Sequence, residues 1–183
     1  MRDVYARTMF SEPAKKLQER AGSRKQYERM VNSGYFENGL SEFEKEFIEA
    51  RDSFYMATVT PDGWPYIQHR GGPRGFLQVV GERTLAFAEY SGNKQYISAG
   101  NLSVSDRASL FLMDYPNQAR LKIIGHARLL KPGEDPYVDK WLVKEKAAKA
   151  EGVVLIDVVG FDWNCSQHIT RRFTASEIQQ FNP

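Results

Sequence analysis

Cysteine is almost absent from this chain of 183 residues: Cys165 is the only one, so no disulfide can form within it. That usage fits a reducing cytoplasm. Histidine is scarce too. His69, His126 and His168 stand far apart, without the ligand spacing of a zinc site, and no metal is expected. Long apolar runs are missing. Val153-Val154-Leu155-Ile156 is typical of the longest, against the roughly 18 residues of a membrane span. Met1 to Arg7 lacks the apolar core of a signal peptide. Neither sign of charge dominates, because 25 Lys and Arg face 23 Asp and Glu, a net charge of +2. Proteins that follow a nucleic-acid backbone carry a stronger basic bias. Neither nucleic acid nor membrane is therefore an expected partner, although a local basic pocket is compatible with the balance. No Walker pattern and no Gly-x-Gly-x-x-Gly are present, so neither common nucleotide fold is indicated.

What is there reads as one domain with a short excess. The composition, 42% hydrophobic and 26% charged, is that of an ordinary globular chain. Residues 1–50 read as a helical extension and 51–183 as the main domain. Ser11-Glu12-Pro13 starts a helix with a capping side chain and an early proline. That helix is mostly polar, with Leu17 its one strong apolar residue, so it belongs on a surface or against a partner. Ser23 to Val31 reads as a second helix stopped near Asn32-Ser33-Gly34. Ser41-Glu42-Phe43-Glu44 is a capping box, followed by Phe43, Phe47 and Ile48 on one face.

After Asp52 the period changes. Ser53–Thr60, Pro65–Arg70, Phe76–Val80, Thr84–Tyr90, Ala108–Asp114, Arg120–Leu130 and Val153–Phe161 read as strands, with turns at Pro61-Asp62-Gly63 and Gly81-Glu82-Arg83. Pro136 to about Ala150 reads as a helix through Val138, Trp141, Leu142 and Glu145, and Thr174 to Glu177 caps a last one. Short strands joined by hairpins favour an antiparallel barrel over a parallel α/β sheet.

Three segments carry candidate chemistry. In Gln68-His69-Arg70-Gly71-Gly72-Pro73-Arg74-Gly75-Phe76, glycines permit close backbone approach and two arginines suit phosphate. The same residues also describe a wide hairpin loop with solvated arginines. In Gly92-Asn93-Lys94, the backbone can open a helix from Gln95 to Ala99, with Lys94 and Ser98 one turn apart on one face. This is either a phosphate cradle or an ordinary turn. The third segment, Trp163-Asn164-Cys165-Ser166-Gln167-His168, offers a Cys–His pair. It lacks an orienting acid, and a lone cysteine is often a packing residue. Lining of a planar ligand by its Trp, Gln and His agrees better with the other two segments.

Taken in order, Ala57-Thr58-Val59, Asp62-Gly63, Pro65, Gln68-His69-Arg70-Gly71-Gly72-Pro73, Gly75-Phe76, Gly92-Asn93-Lys94, Ser98, Asn101-Leu102 and Arg107 to Leu112 resemble the pyridoxamine 5′-phosphate oxidase-like family of flavin-binding split barrels. The likeness runs from about Arg51 to Leu130 and again over Phe161 to Phe173. It implies a mainly β fold, a six-stranded antiparallel split β-barrel with an N-terminal helical arm, that dimerises with FMN in a cleft between two subunits. It further implies that the strand with Gln68, His69 and Arg70 meets the phosphate or ribityl chain. Asn93 and Lys94 then grip the phosphate with Ser98, Glu89 and Tyr90 lie near the ring, and Trp163, Gln167 and His168 approach it from the other subunit. Asn93 stands where the family has an arginine, and Arg70 or Arg74 is expected to compensate. The arginine-rich substrate pattern of the vitamin B6 oxidases is not recognisable; Arg171-Arg172 is the nearest match. The expected activity is an FMN-dependent oxidoreductase of a small molecule, with NAD(P)H as a candidate donor and His168 as the candidate catalytic residue. The alternative is a split barrel that holds flavin or haem without turnover, with His69, His126 or His168 as axial candidates for haem.

Overall fold

The computed structural model describes residues 4–32, 39–144, 149–163 and 165–181. Its elements are α1 (Val4–Met9), α2 (Glu12–Arg20), α3 (Arg24–Asn32), α4 (Glu42–Glu49), β1 (Ser53–Val59), β2 (Pro65–Gly71), β3 (Gln78–Val79), β4 (Thr84–Tyr90), α5 (Ile97–Leu102), β5 (Arg107–Asp114), β6 (Ala119–Leu130), α6 (Pro136–Lys144), β7 (Ala150–Trp163) and α7 (Ala175–Phe181). Glu145, in the expected extension of α6, lies outside the described residues, as do Ser33, Gly34 and Asn164.

All seven strands join one antiparallel sheet in the order β2-β1-β5-β6-β7-β4-β3. Six strands are long. The seventh, β3, has two residues at an edge, because Gly75 turns the chain at φ 80° and delays extension past Phe76. The sheet curls into a split barrel around Phe54, Met56, Leu85, Phe87, Leu110, Leu112, Leu121, Ile123 and Ile156. In β1, Phe54, Met56 and Thr58 are buried, while Tyr55 and Val59 face out, the period of two that alternating Cβ directions require. The run Val153–Ile156 does not alternate, because β7 is covered twice. Val154 and Ile156 enter the barrel, while Val153 and Leu155 pack under α6 with Val138, Trp141 and Leu142.

The period of β6 breaks where its pairing with β7 shifts between Ile124 and Gly125. A Cβ on Gly125 would stand 2.7 Å from the Asp157 carbonyl oxygen, so only glycine allows that approach.

The helical arm divides by polarity. Neither α2 nor α3 buries a residue, as the polar stretch after Ser11 predicts. In α4, the capping box forms between Ser41 and Glu44, and Ile48 enters the barrel core with Leu40. Phe43 does not follow Ile48 inward; it stays 65% exposed and tilts against Trp163 at 5.2 Å. Helix α1 buries Tyr5 and Ala6 where β7 has Gly160. An added Cβ there would lie 2.8 to 3.1 Å from the Cβ, N and Cα of Tyr5. Gly160→Ala is therefore expected to push α1 off the sheet and cost about 1–3 kcal/mol. Thermal melting together with limited proteolysis within Val4–Met9 checks this. An unchanged melt and an uncut helix would contradict it.

At the end of β5, Arg51 stitches α4 to the sheet. It pairs with Asp114 at 3.0 Å and donates to the carbonyls of Phe47 and Met113. Burial by itself would raise the Asp114 pKa. Bonds from the Asn117 side chain and backbone, joined by the Arg51 guanidinium, outweigh burial and hold it below its ordinary 3.8. A depressed folded-state value means the stabilisation is complete above 3.8 and is lost as pH falls through the lower folded value. Asp114→Asn should thus melt below the parent at neutral pH and converge with it in acid. A gap that persists in acid would assign the effect to packing.

Candidate functional site

The sheet does not close. Strand β2 is one edge, and at the other β4 is bordered only by the two residues of β3. Side chains span this seam in place of ladder hydrogen bonds. Arg70 on β2 reaches Glu89 on β4 with Nη1 to Oε1 at 2.7 Å, and its guanidinium lies 5.7 Å from the Phe87 ring centre. The Gly71–Phe76 connection is accordingly no hairpin loop, because β2 and β3 are not neighbours. It crosses from one lip of the seam to the other. Gly72 is required there, since a Cβ would sit 2.7 Å from Cγ of Phe76.

Two cavities open along the seam and share Arg70 and Tyr90. The smaller, about 240 Å³, gathers Gln68, Arg70, Glu89, Tyr90, Asn93, Lys94 and Ser98. These seven residues come from β2, the end of β4, the loop after it and α5, and each is expected from the sequence at a cofactor site. The larger, about 390 Å³, lies between the glycine connection, Phe87 and Trp141. Both volumes are on the scale of small-molecule pockets.

Each side chain has a local reason for its place. Alternation along β2 turns Tyr66, Gln68 and Arg70 to one side and leaves Ile67 and His69 exposed on the other. His69 reaches the rim of the larger cavity, with its ring edge-on to Tyr55 at 5.6 Å outside the sheet. Ser98, buried in α5, donates its hydroxyl to Gln68 Oε1 at 2.9 Å. Next to it, buried Asn101 donates to Thr58 at 2.9 Å, which fixes α5 on β1.

The segment before α5 departs from the expected helix over Gln95–Ala99. Lys94 and Tyr96 both adopt left-handed backbone, at φ 59° and 50°, and the Gln95 N–H is taken by Asn93 Oδ1 at 3.2 Å. The helix therefore begins only at Ile97, and Lys94 meets Ser98 across a cavity rather than along a helix face. Two non-glycine residues in the left-handed region next to a pocket are a local strain of the kind found where a ligand is held.

The charges differ from expectation. Arg70 is paired with Glu89, and Arg74 is 67% exposed and reaches Glu177 at 3.4 Å. Among the described residues Lys94 has no such partner. Arg70 Nε and Glu89 Oε2 are both shielded from solvent without a hydrogen-bond partner.

Trp163, Gln167 and His168 are not brought to this cavity within the chain. Glu89 pairs with Gly152 near the start of β7, while Trp163 ends it, about 35 Å further along at the usual strand rise. Trp163 packs on Phe47 and donates its indole N–H to Glu44 at 2.8 Å. Gln167 and His168 are exposed, His168 at φ 64°. The segment is anchored by buried Ile169, whose carbonyl accepts from Gln118 at 2.7 Å. Cys165 is exposed. Among the lining residues that were not candidates in the sequence are Tyr66 and Glu151. Tyr66 carries a signal, being two before Gln68 in the alternation. Glu151 carries none, since only the pairing of β7 with β4 brings it there.

Among the described residues no helix is long and apolar enough to cross a membrane. A search of curated proteins finds no match to the sequence. Among solved structures the chain is similar to a candidate pyridoxamine 5′-phosphate oxidase from Lactobacillus delbrueckii, at 23% identity and TM-score 0.55, over 68% of this chain and 94% of that one. It is also similar to HupZ of Group A Streptococcus, at 17% identity and TM-score 0.54, over 73% of this chain and 98% of that one. At such identities the likeness establishes the split-barrel fold. The family model for pyridoxamine 5′-phosphate oxidase matches residues 40–162, from the lead-in to α4 nearly to the end of β7. That span is about two thirds of the sequence and contains the whole seam, so the chain belongs to the pyridoxamine 5′-phosphate oxidase family.

Proposed function

We propose that the protein is a cytoplasmic FMN-dependent oxidoreductase of a small molecule, working as a homodimer. The observation that carries this reading is the seam cavity, where the unpaired Lys94 ammonium shares the lining with the Gln68 amide, whose Oε1 already holds the Ser98 hydroxyl proton and whose NH2 is left to donate. This donor set fits a phosphate monoester. The adjoining Arg70–Glu89 pair, with one unused N–H and one unused carboxylate oxygen, fits the hydroxyl-bearing chain that follows the phosphate. Tyr90, common to both cavities, fits the edge of a ring. Bound FMN supplies electron transfer, and the protein orients it and tunes it through hydrogen bonds.

The homodimer is supported by an outward apolar face on the β1–β2 hairpin, where Trp64 is 74% and Ile67 65% exposed beside Tyr55 and Val59. Contiguous exposed apolar surface of this kind marks contact sites. In such a dimer Gln167 and His168 would approach the ring of the other subunit's flavin, and His168 is the candidate for holding or passing a proton.

Purified protein is expected to be yellow, to release FMN on denaturation, and to lose its visible absorbance on addition of NAD(P)H. Colourless protein that takes up no added FMN sinks the reading. Bound flavin without turnover of reduced nicotinamide favours a binding protein, and a Soret band points to haem.

A further inference from the structure

We propose that Glu89 is a specificity-determining residue of the seam cavity. Its carboxylate confines the site to a ligand with one phosphate on Lys94 and a neutral hydroxyl-bearing chain beside it. This rests on the flavin reading above and extends it to the chemistry of the ligand.

The cavity is not a basic pocket. Arg70 and Lys94 supply two positive charges, and Glu89 and Glu151 supply two negative ones. Arg70 is committed to Glu89 at 2.7 Å, and their side chains are only 14% and 20% exposed. A phosphate that took Arg70 would leave the Glu89 carboxylate poorly solvated and without a counter-charge, which costs more than the new contact returns. The phosphate is thereby kept to the Lys94 side.

The orphaned Arg70 Nε–H and Glu89 Oε2 form a donor next to an acceptor. Both atoms are closed to solvent, so a ligand hydroxyl meets them only where the pair shifts to admit it; it then accepts from one and donates to the other. A second phosphate accepts from Arg70 Nε–H but sets negative charge against Glu89 Oε2, so it satisfies one atom and opposes the other.

The test compares FMN with riboflavin, which differ by the phosphate alone, in titrations of apo-protein followed by flavin fluorescence. The ratio of their affinities isolates the phosphate contribution. Glu89→Gln removes the opposing charge and releases Arg70, so the FMN-to-riboflavin ratio should rise about tenfold, with riboflavin itself changed by less than about threefold. A ratio that is unchanged or lower overturns the proposal, as does an equal loss of both flavins. If the wild-type protein binds neither flavin, the flavin reading fails by itself. Inorganic phosphate then decides the role of Glu89, with about tenfold tighter binding expected in Glu89→Gln and equal binding overturning it. If Glu89→Gln fails to fold, Glu151→Gln takes its place. Glu151 is exposed on the same cavity, and its neutralisation should raise the ratio about threefold. No rise overturns the proposal.

Discussion

Arg70→Ala is expected to melt well below the parent and to lose FMN. The guanidinium does two things at the seam. It holds β2 to β4 where no strand ladder joins them, and it neutralises a carboxylate that is only 20% exposed. Removing one member of such a pair leaves the other charge poorly solvated and unpaired, a loss of about 3 kcal/mol. For a chain of this size that corresponds to a fall in melting temperature of roughly 6–12 °C. The loss of FMN has the same origin, because the unpaired Glu89 carboxylate then repels the phosphate.

A double variant separates pairing from packing. If the charge left on Glu89 is the cause, Arg70→Ala with Glu89→Gln should recover much of the melting temperature. If lost packing of Arg70 over Phe87 is the cause, the two changes add. A single Arg70→Ala variant that melts within a degree or two of the parent would remove the pair from the account of the seam.

Lys94→Ala is expected to weaken FMN binding by roughly tenfold or more, the worth of one charged hydrogen bond, while leaving riboflavin nearly unchanged. Lys94 sits at φ 59°, and a non-glycine residue there carries about 1 kcal/mol of strain. Lys94→Gly removes the same charge and also relieves that strain, so it should be slightly more stable than Lys94→Ala and bind FMN equally poorly. Matching losses in the two variants assign the effect to the ammonium. Arg74→Ala is the contrasting case. Arg74 is 67% exposed and tied to Glu177, so its removal should shift FMN affinity by no more than about twofold. Equal losses for Arg74 and Lys94 would mean that the whole lip of the cavity, not one residue, attracts the phosphate.

Much of this molecule is legible along the chain because secondary structure answers to local period and local sterics. Strands β1, β4 and β5 show in alternating or β-branched and aromatic stretches, and they fold with boundaries within about a residue of those readings. The capping box before α4 is written in four residues and forms as written. The candidate residues Asn93, Lys94, Gln68 and Arg70, which line one cavity, were legible along the chain because side-chain chemistry and β alternation need no long-range information. Boundaries failed where geometry beyond the period intervened. Left-handed Lys94 and Tyr96 moved the start of α5 to Ile97, and Gly75 shortened β3.

The charge state of the site belongs to the tertiary structure alone. Arg70 and Glu89 are 19 residues apart, Arg74 and Glu177 are 103 apart, and Trp163 finds Glu44 across 119. Nothing in composition or spacing distinguishes an arginine awaiting a phosphate from one already paired, since the difference depends on which edges of the sheet curl together. The sequence by itself determined a β-rich chain with a near-neutral surface, a phosphate-suited loop and a family. The curl of the strands into an open barrel decided that Arg70 is neutralised by Glu89, because an open seam leaves polar groups without ladder partners and opposite charges meet across it, while the return of α7 brought Glu177 to Arg74.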